Sequence, residues 1–141
     1  MSTRKVVIHT DVLLAHVCGT AEPSALRLAM GQYFCYATVF HAIELFALAR
    51  TDRERKAVED TLSAMKILGL NARGARRYSK LLARRKGSDR WTVLIAGLCM
   101  ESGLPLMTGR KAEFREFRGL KVIAPPAGEN APNAMRIQEG E

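Results

Sequence analysis

The chain has 141 residues, 48% of them hydrophobic and 26% charged, the size of one ordinary domain with material for one core. No apolar run reaches the roughly 18 residues that cross a bilayer, and MSTRK leads into a strand rather than a signal-peptide apolar region. Neither a membrane span nor export is expected, a cytoplasmic location is, and the net charge of +8 favours a polyanionic or acidic partner without separating RNA from an acidic protein.

Lys5 to His9 (KVVIH) is a β-branched run that predicts a strand, and Asp11 onward (DVLLAHV) turns into an apolar stretch able to start a helix. A second helix over Ala25 to Met30 ends at Gly31, and Tyr33 to Ala37 (YFCYA) has the composition of a strand. Thr38 caps the next helix, Val39 to Ala49, which is apolar on most sides and so is expected to be buried, with Glu44 and His41 as its few polar members. Thr51 and Glu54 form a capping box for a helix running to about Lys66 with a solvated polar face.

Ile67 to Leu70 is the next strand candidate, followed by Asn71 as a cap and a helix from Ala72 to Lys86 that Gly87 stops. Ser88 and Asp89 cap a helix to about Ser102, where Gly103 ends it. Leu104 to Met107 reads as a buried strand, Lys111 to Phe117 as a short helix and Leu120 to Ala124 as a last strand. Alternation of this kind predicts an α/β fold, a small mainly parallel sheet between helical layers, with ligands bound beyond the carboxyl ends of the strands. From Pro125 to Glu141 the composition shifts to Pro, Gly, Asn and Glu, so residues 1–124 form the domain and 125–141 an irregular tail.

Cys18, Cys35 and Cys99 are odd in number and lack C-x-x-C spacing, which predicts buried free thiols. The helix after Asn71 carries Arg73, Arg76, Arg77, Lys80, Arg84, Arg85 and Lys86 without one acid. Arg73, Arg76, Arg77, Lys80 and Arg84 recur at helical spacing, either as a phosphate-binding stripe or as a solvated face. Glu44 stands out because an acid inside an apolar helix is costly unless paired or metal-bound. His16 and His41 read as satisfied histidines without a role, and Trp91 reads as core packing or as a base-stacking ring.

Three segments, VVIHTDVLL, TVFHAIELFALA and LIAGLCMESGLPLMTGRKAEFREFRGLKVI, resemble in order and separation the PIN-domain family of VapC-type ribonucleases. The last is the most specific, with Ile95-Ala96, Gly103-Leu104, Thr108, Glu113-Phe114 and Gly119-Leu120-Lys121-Val122 at the family's positions. The resemblance covers roughly residues 5 to 124 and implies a PIN-like three-layer α/β/α fold with carboxylates gathered at one sheet edge. In active members these hold Mg²⁺ or Mn²⁺, hard cations that suit oxygen ligands and phosphodiester hydrolysis.

Carried over by position, the family's first Asp falls on His9, its Glu on Glu44, its third Asp on Thr92 and its fourth on the longer Glu113. A relocated set of Asp11, Glu44, Asp89 and Glu113, with His9 assisting, is the candidate metal site, and Asp11, Glu44 and Glu113 are its candidate catalytic residues. Asp11 and Asp89 also read as helix caps, and Glu113 alone as a surface charge. Arg110 and Lys111 either grip a phosphate beside the site or take the metal's place electrostatically; with the basic stripe they are the candidate RNA contacts. The resemblance implies a metal-dependent endoribonuclease, the toxin of a toxin–antitoxin pair, forming a homodimer and silenced by an antitoxin protein. The alternative is a catalytically inactive PIN-like module that binds RNA or a protein partner.

Overall fold

The computed structural model describes residues 4–127. A five-stranded sheet in the order β3-β2-β1-β4-β5 is built from β1 (Lys5–Ile8), β2 (Phe34–Thr38), β3 (Lys66–Leu68), β4 (Leu106–Met107) and β5 (Val122–Ile123). Every pairing is parallel, with Val7 opposite Tyr36 on one side and Leu106 on the other. The helices are α1 (Thr10–Cys18), α2 (Ala25–Met30), α3 (Val39–Leu48), α4 (Asp52–Ser63), α5 (Ala72–Arg84) and α6 (Arg90–Ser102), and Lys111–Phe114 forms a 3₁₀ turn.

Side chains alternate across each strand, and that period of two divides the core. Val6, Ile8, Cys35, Ala37 and Met107 pack with Leu13, Leu45 and Val58 on one face. Val7, Tyr36 and Leu106 pack with Val93, Ile95, Phe114 and Phe117 on the other. The α/β architecture expected from the alternation of elements is therefore present, with a sheet that is wholly parallel rather than mainly so.

The caps fall where the sequence places them. Thr51 and Glu54 form their capping box, Asn71 accepts from Gly74 N, and Asp89 accepts from Thr92 N. Gly103 closes α6 at a φ of 68°, a left-handed turn that favours glycine. At Gly97 a Cβ would meet Leu81 Cδ2 and Tyr78 Cε1 at 2.8 Å, so the missing side chain is what lets α5 seat on α6.

Four expectations are corrected. Cys18 is exposed, because it ends α1 on the solvent side, while Cys35 and Cys99 are buried and burial pushes their thiols up to about 11 and about 12. Helix α3 is not enclosed: Ile43, Phe46 and Leu48 are 50%, 39% and 52% exposed, since only one side of it meets the sheet. Of the helix expected over Lys111 to Phe117 only Lys111–Phe114 is regular, as a 3₁₀ turn, because Phe114 and Phe117 both turn into the core. Helix α4 stops at Ser63, which leaves Lys66 to open β3. Residues 125–127 have no regular structure, and the rest of the expected tail lies outside the described residues.

Candidate functional site

The strand order reverses direction between β1 and β4, so the chain leaves their carboxyl ends on opposite sides and opens a crevice there. A cavity of about 260 Å³ occupies it, lined by His9, Asp11, Glu44, Asp89, Arg110 and Glu113 together with Trp91 and Thr92. All five residues of the candidate metal set thus reach one cavity. A larger groove of about 610 Å³ adjoins it, shares Asp89, Thr92 and Glu113, and extends to Ser88, Arg115 and Glu116.

Each carboxylate is already engaged by a neutral or cationic donor. Asp11, in the first turn of α1, accepts from Thr108 Oγ1 at 2.9 Å and from Gly109 N at 2.8 Å. It ties α1 to the loop after β4 rather than capping its own helix, whose N-cap is His9. Thr108 Oγ1 in turn accepts from Arg110 N at 3.0 Å. Glu44 Oε1 accepts from Thr10 Oγ1 at 2.7 Å, so the partner that this acid requires is a threonine. Asp89 Oδ2 takes Thr92 N at 3.0 Å and Thr92 Oγ1 at 3.1 Å, the cap geometry. Arg110 Nη1 lies 3.4 Å from Glu113 Oε2, which puts a guanidinium beside this acid.

His9, the position on which the resemblance sets the family's first Asp, follows the carboxyl end of β1 and is the N-cap of α1. Its Nδ1 lies 3.1 Å from His41 Nε2, and its ring meets Phe114 edge-on with centroids 5.0 Å apart. Burial holds His9 below the ordinary 6.5, against the opposing pull of the Asp11, Glu113 and Glu44 carboxylates. Burial, then the neighbouring His9, lowers fully buried His41 to about 3. Both rings are therefore neutral at physiological pH.

Among the described residues no three His, Cys, Asp or Glu side chains are gathered closely enough to hold a metal ion. A divalent cation needs several free anionic oxygens converging on one point, and Mg²⁺ gives up its waters reluctantly. Here Asp11 has hydrogen bonds on both oxygens, Glu113 has an arginine beside it, and His9 supplies no negative charge. The donor set as arranged does not fit Mg²⁺ or Mn²⁺.

The basic stripe is where the sequence puts it. Gly74 and Tyr78 face the core, and Arg73, Arg76, Lys80 and Arg84 are exposed and without an ion pair among the described residues. Arg77 is the exception, since its guanidinium pairs with Glu101, which also accepts from Tyr78 Oη. Lys111 is exposed at the start of the 3₁₀ turn. Trp91 is 37% exposed and edge-packed on Phe40, with part of its ring at the cavity.

Sequence reasoning missed His41 and Thr10. The signal for His41 is local: it occupies the third helical position after Thr38, where a capping box usually has Glu or Gln, and its Nδ1 accepts from Thr38 N at 3.0 Å. Thr10 carries no such signal, because its partner Glu44 is brought to it only by the fold.

No protein-family model and no curated protein matches the chain. Solved structures do. A DNA-bound VapBC from Salmonella typhimurium is 18% identical at a TM-score of 0.71, covering 88% of this chain and 100% of that one. VapBC2 from Rickettsia felis, bound to a promoter DNA fragment, is 15% identical at 0.68, covering 85% and 98%. VapBC-5 from Mycobacterium tuberculosis, of the VapBC family of toxin–antitoxin systems, is 21% identical at 0.54, covering 87% and 98%. At these identities the likeness is one of fold, and the chain has the PIN-like fold of the VapC components of VapBC complexes.

Proposed function

We propose that the chain is a PIN-like module of the toxin–antitoxin class that binds single-stranded RNA without a divalent-metal centre. The observation that carries the metal-free half is the engagement of Asp11, Glu44, Asp89 and Glu113 by Thr108, Gly109, Thr10, Thr92 and Arg110. The RNA half is supported by four cations along α5 that have no ion pair among the described residues, on a helix whose C-terminal end leads through Ser88 into the 610 Å³ groove. The exposed apolar side of α3, with Ile43, Phe46 and Leu48, suits a second copy of the chain or the apolar segment of an antitoxin-like partner.

A second reading is favoured by one observation, the convergence of four carboxylates on a single cavity. It is metal-dependent phosphodiester hydrolysis with Asp11, Glu44 and Glu113 as catalytic residues, and it requires those acids to release their present donors. Single-stranded RNA incubated with the full chain separates the two. The expected result is binding that persists in EDTA, and no cleavage with Mn²⁺ in the parent beyond that of Glu44→Gln. Mn²⁺-dependent cleavage by the parent that Glu44→Gln abolishes would replace the first reading with the second.

A further inference from the structure

The backbone N–H of Thr38 can only donate, and it meets His41 Nδ1 at 3.0 Å, so that nitrogen is bare and the ring proton sits on Nε2. His41 Nε2 then donates to His9 Nδ1 across 3.1 Å. His9 is bare at Nδ1 in turn and carries its own proton on Nε2. The Phe114 edge, nearly perpendicular at 89°, fixes the ring's rotation. Among the described residues every fully buried side-chain nitrogen and oxygen has a partner. His9 Nε2 has none among the described residues, so it is not fully buried and reaches the cavity that the ring lines.

We propose that His41 is a positioning residue that locks His9 with Nε2–H aimed into the cavity, and that this fixed donor selects a neutral ligand hydroxyl instead of a cation. A metal ion at this point would meet a hydrogen rather than a lone pair, and freeing the lone pair would break the Thr38–His41–His9 chain. An anion would meet the Asp11, Glu44, Asp89 and Glu113 carboxylates around it. A hydroxyl satisfies both sides, accepting from His9 and donating to a carboxylate oxygen. In RNA that group is the ribose 2′-hydroxyl, which distinguishes RNA from DNA. This ligand assignment rests on the RNA reading above; the tautomeric lock does not.

Long-range ¹H–¹⁵N spectra of the uniformly labelled full chain read the lock directly. Both His9 and His41 are expected as Nε2–H tautomers, unmoved by Mg²⁺. Adding oligouridylate in EDTA is expected to shift His9 Nε2, and oligodeoxyuridylate to bind about fivefold more weakly, one hydrogen bond's worth. His9→Phe, which keeps a ring against Phe114 but removes the donor, is expected to erase that preference. An Nδ1–H tautomer at His9, or a Mg²⁺-induced shift of its nitrogens, overturns the lock. RNA binding that leaves His9 unmoved and does not distinguish RNA from DNA overturns the hydroxyl assignment while the RNA reading stands. No RNA binding at all removes that reading and the hydroxyl assignment together, with the tautomers still deciding the lock.

Discussion

Replacing Arg73, Arg76, Lys80 and Arg84 together with Ala is expected to flatten the salt dependence of RNA binding. Each single-strand phosphate contact contributes about 0.7 to the slope of log affinity against log salt. If all four cations meet phosphates, raising salt from about 50 to 200 mM weakens the parent about fifty-fold through them alone, and the variant loses that sensitivity. Arg77 is the internal control. Its pairing with Glu101 predicts that Arg77→Ala leaves the slope near that of the parent. The four side chains are exposed on a helix that packs through Tyr78, Leu81 and Leu82, so the variant is expected to fold. Equal slopes for the parent and the four-site variant would remove α5 from the interface.

Acid is expected to destabilise the fold through His41. The ring is neutral and fully buried in the folded chain, where its value lies near 3, whereas the unfolded chain titrates near the ordinary 6.5. Between those values the unfolded state binds a proton that the folded state refuses, so the stability present above pH 6.5 is lost as pH falls toward 3. At about pH 5 this costs about 2 kcal/mol relative to neutral pH, in a range where most carboxylates remain ionised. His9, also lowered by burial, adds in the same direction. Denaturant unfolding at about pH 7.5 and pH 5 checks this in the parent and in His41→Gln. The variant should be less stable at the higher pH but lose much less between the two. An equal loss in both proteins would show that His41 is not the titrating group.

Much of the fold was legible because its determinants are local. The alternation of Val6, Val7 and Ile8, the Thr51–Glu54 box, the Asn71 and Asp89 caps and Gly103 are each set by residues within a few positions. The segment from Ile95-Ala96 to Val122 carried the likeness of fold that the comparisons with solved structures support. What stayed hidden depends on partners distant in sequence. Asp11 read as a cap or a ligand, yet its carboxylate clamps Thr108 and Gly109, 97 and 98 residues away. Helix α3 looked enclosed because composition does not reveal that one side of an apolar helix faces outward. His41 looked idle because its role requires His9, 32 residues earlier, at hydrogen-bonding distance.

The site residues line one cavity, the gathering that the family resemblance implied, but with different chemistry. A neutral His9 among the acids and the engagement of each acid by a threonine, a backbone amide or Arg110 turn a cluster of potential ligands into a hydrogen-bonded frame. Calorimetric titration of the parent and of Glu44→Gln with Mn²⁺ tests this most directly. Weak, non-saturating heats through the millimolar range, the same in both proteins, are the expected result. A stoichiometric, saturable site in the parent that disappears in Glu44→Gln would contradict the absence of a divalent-metal centre.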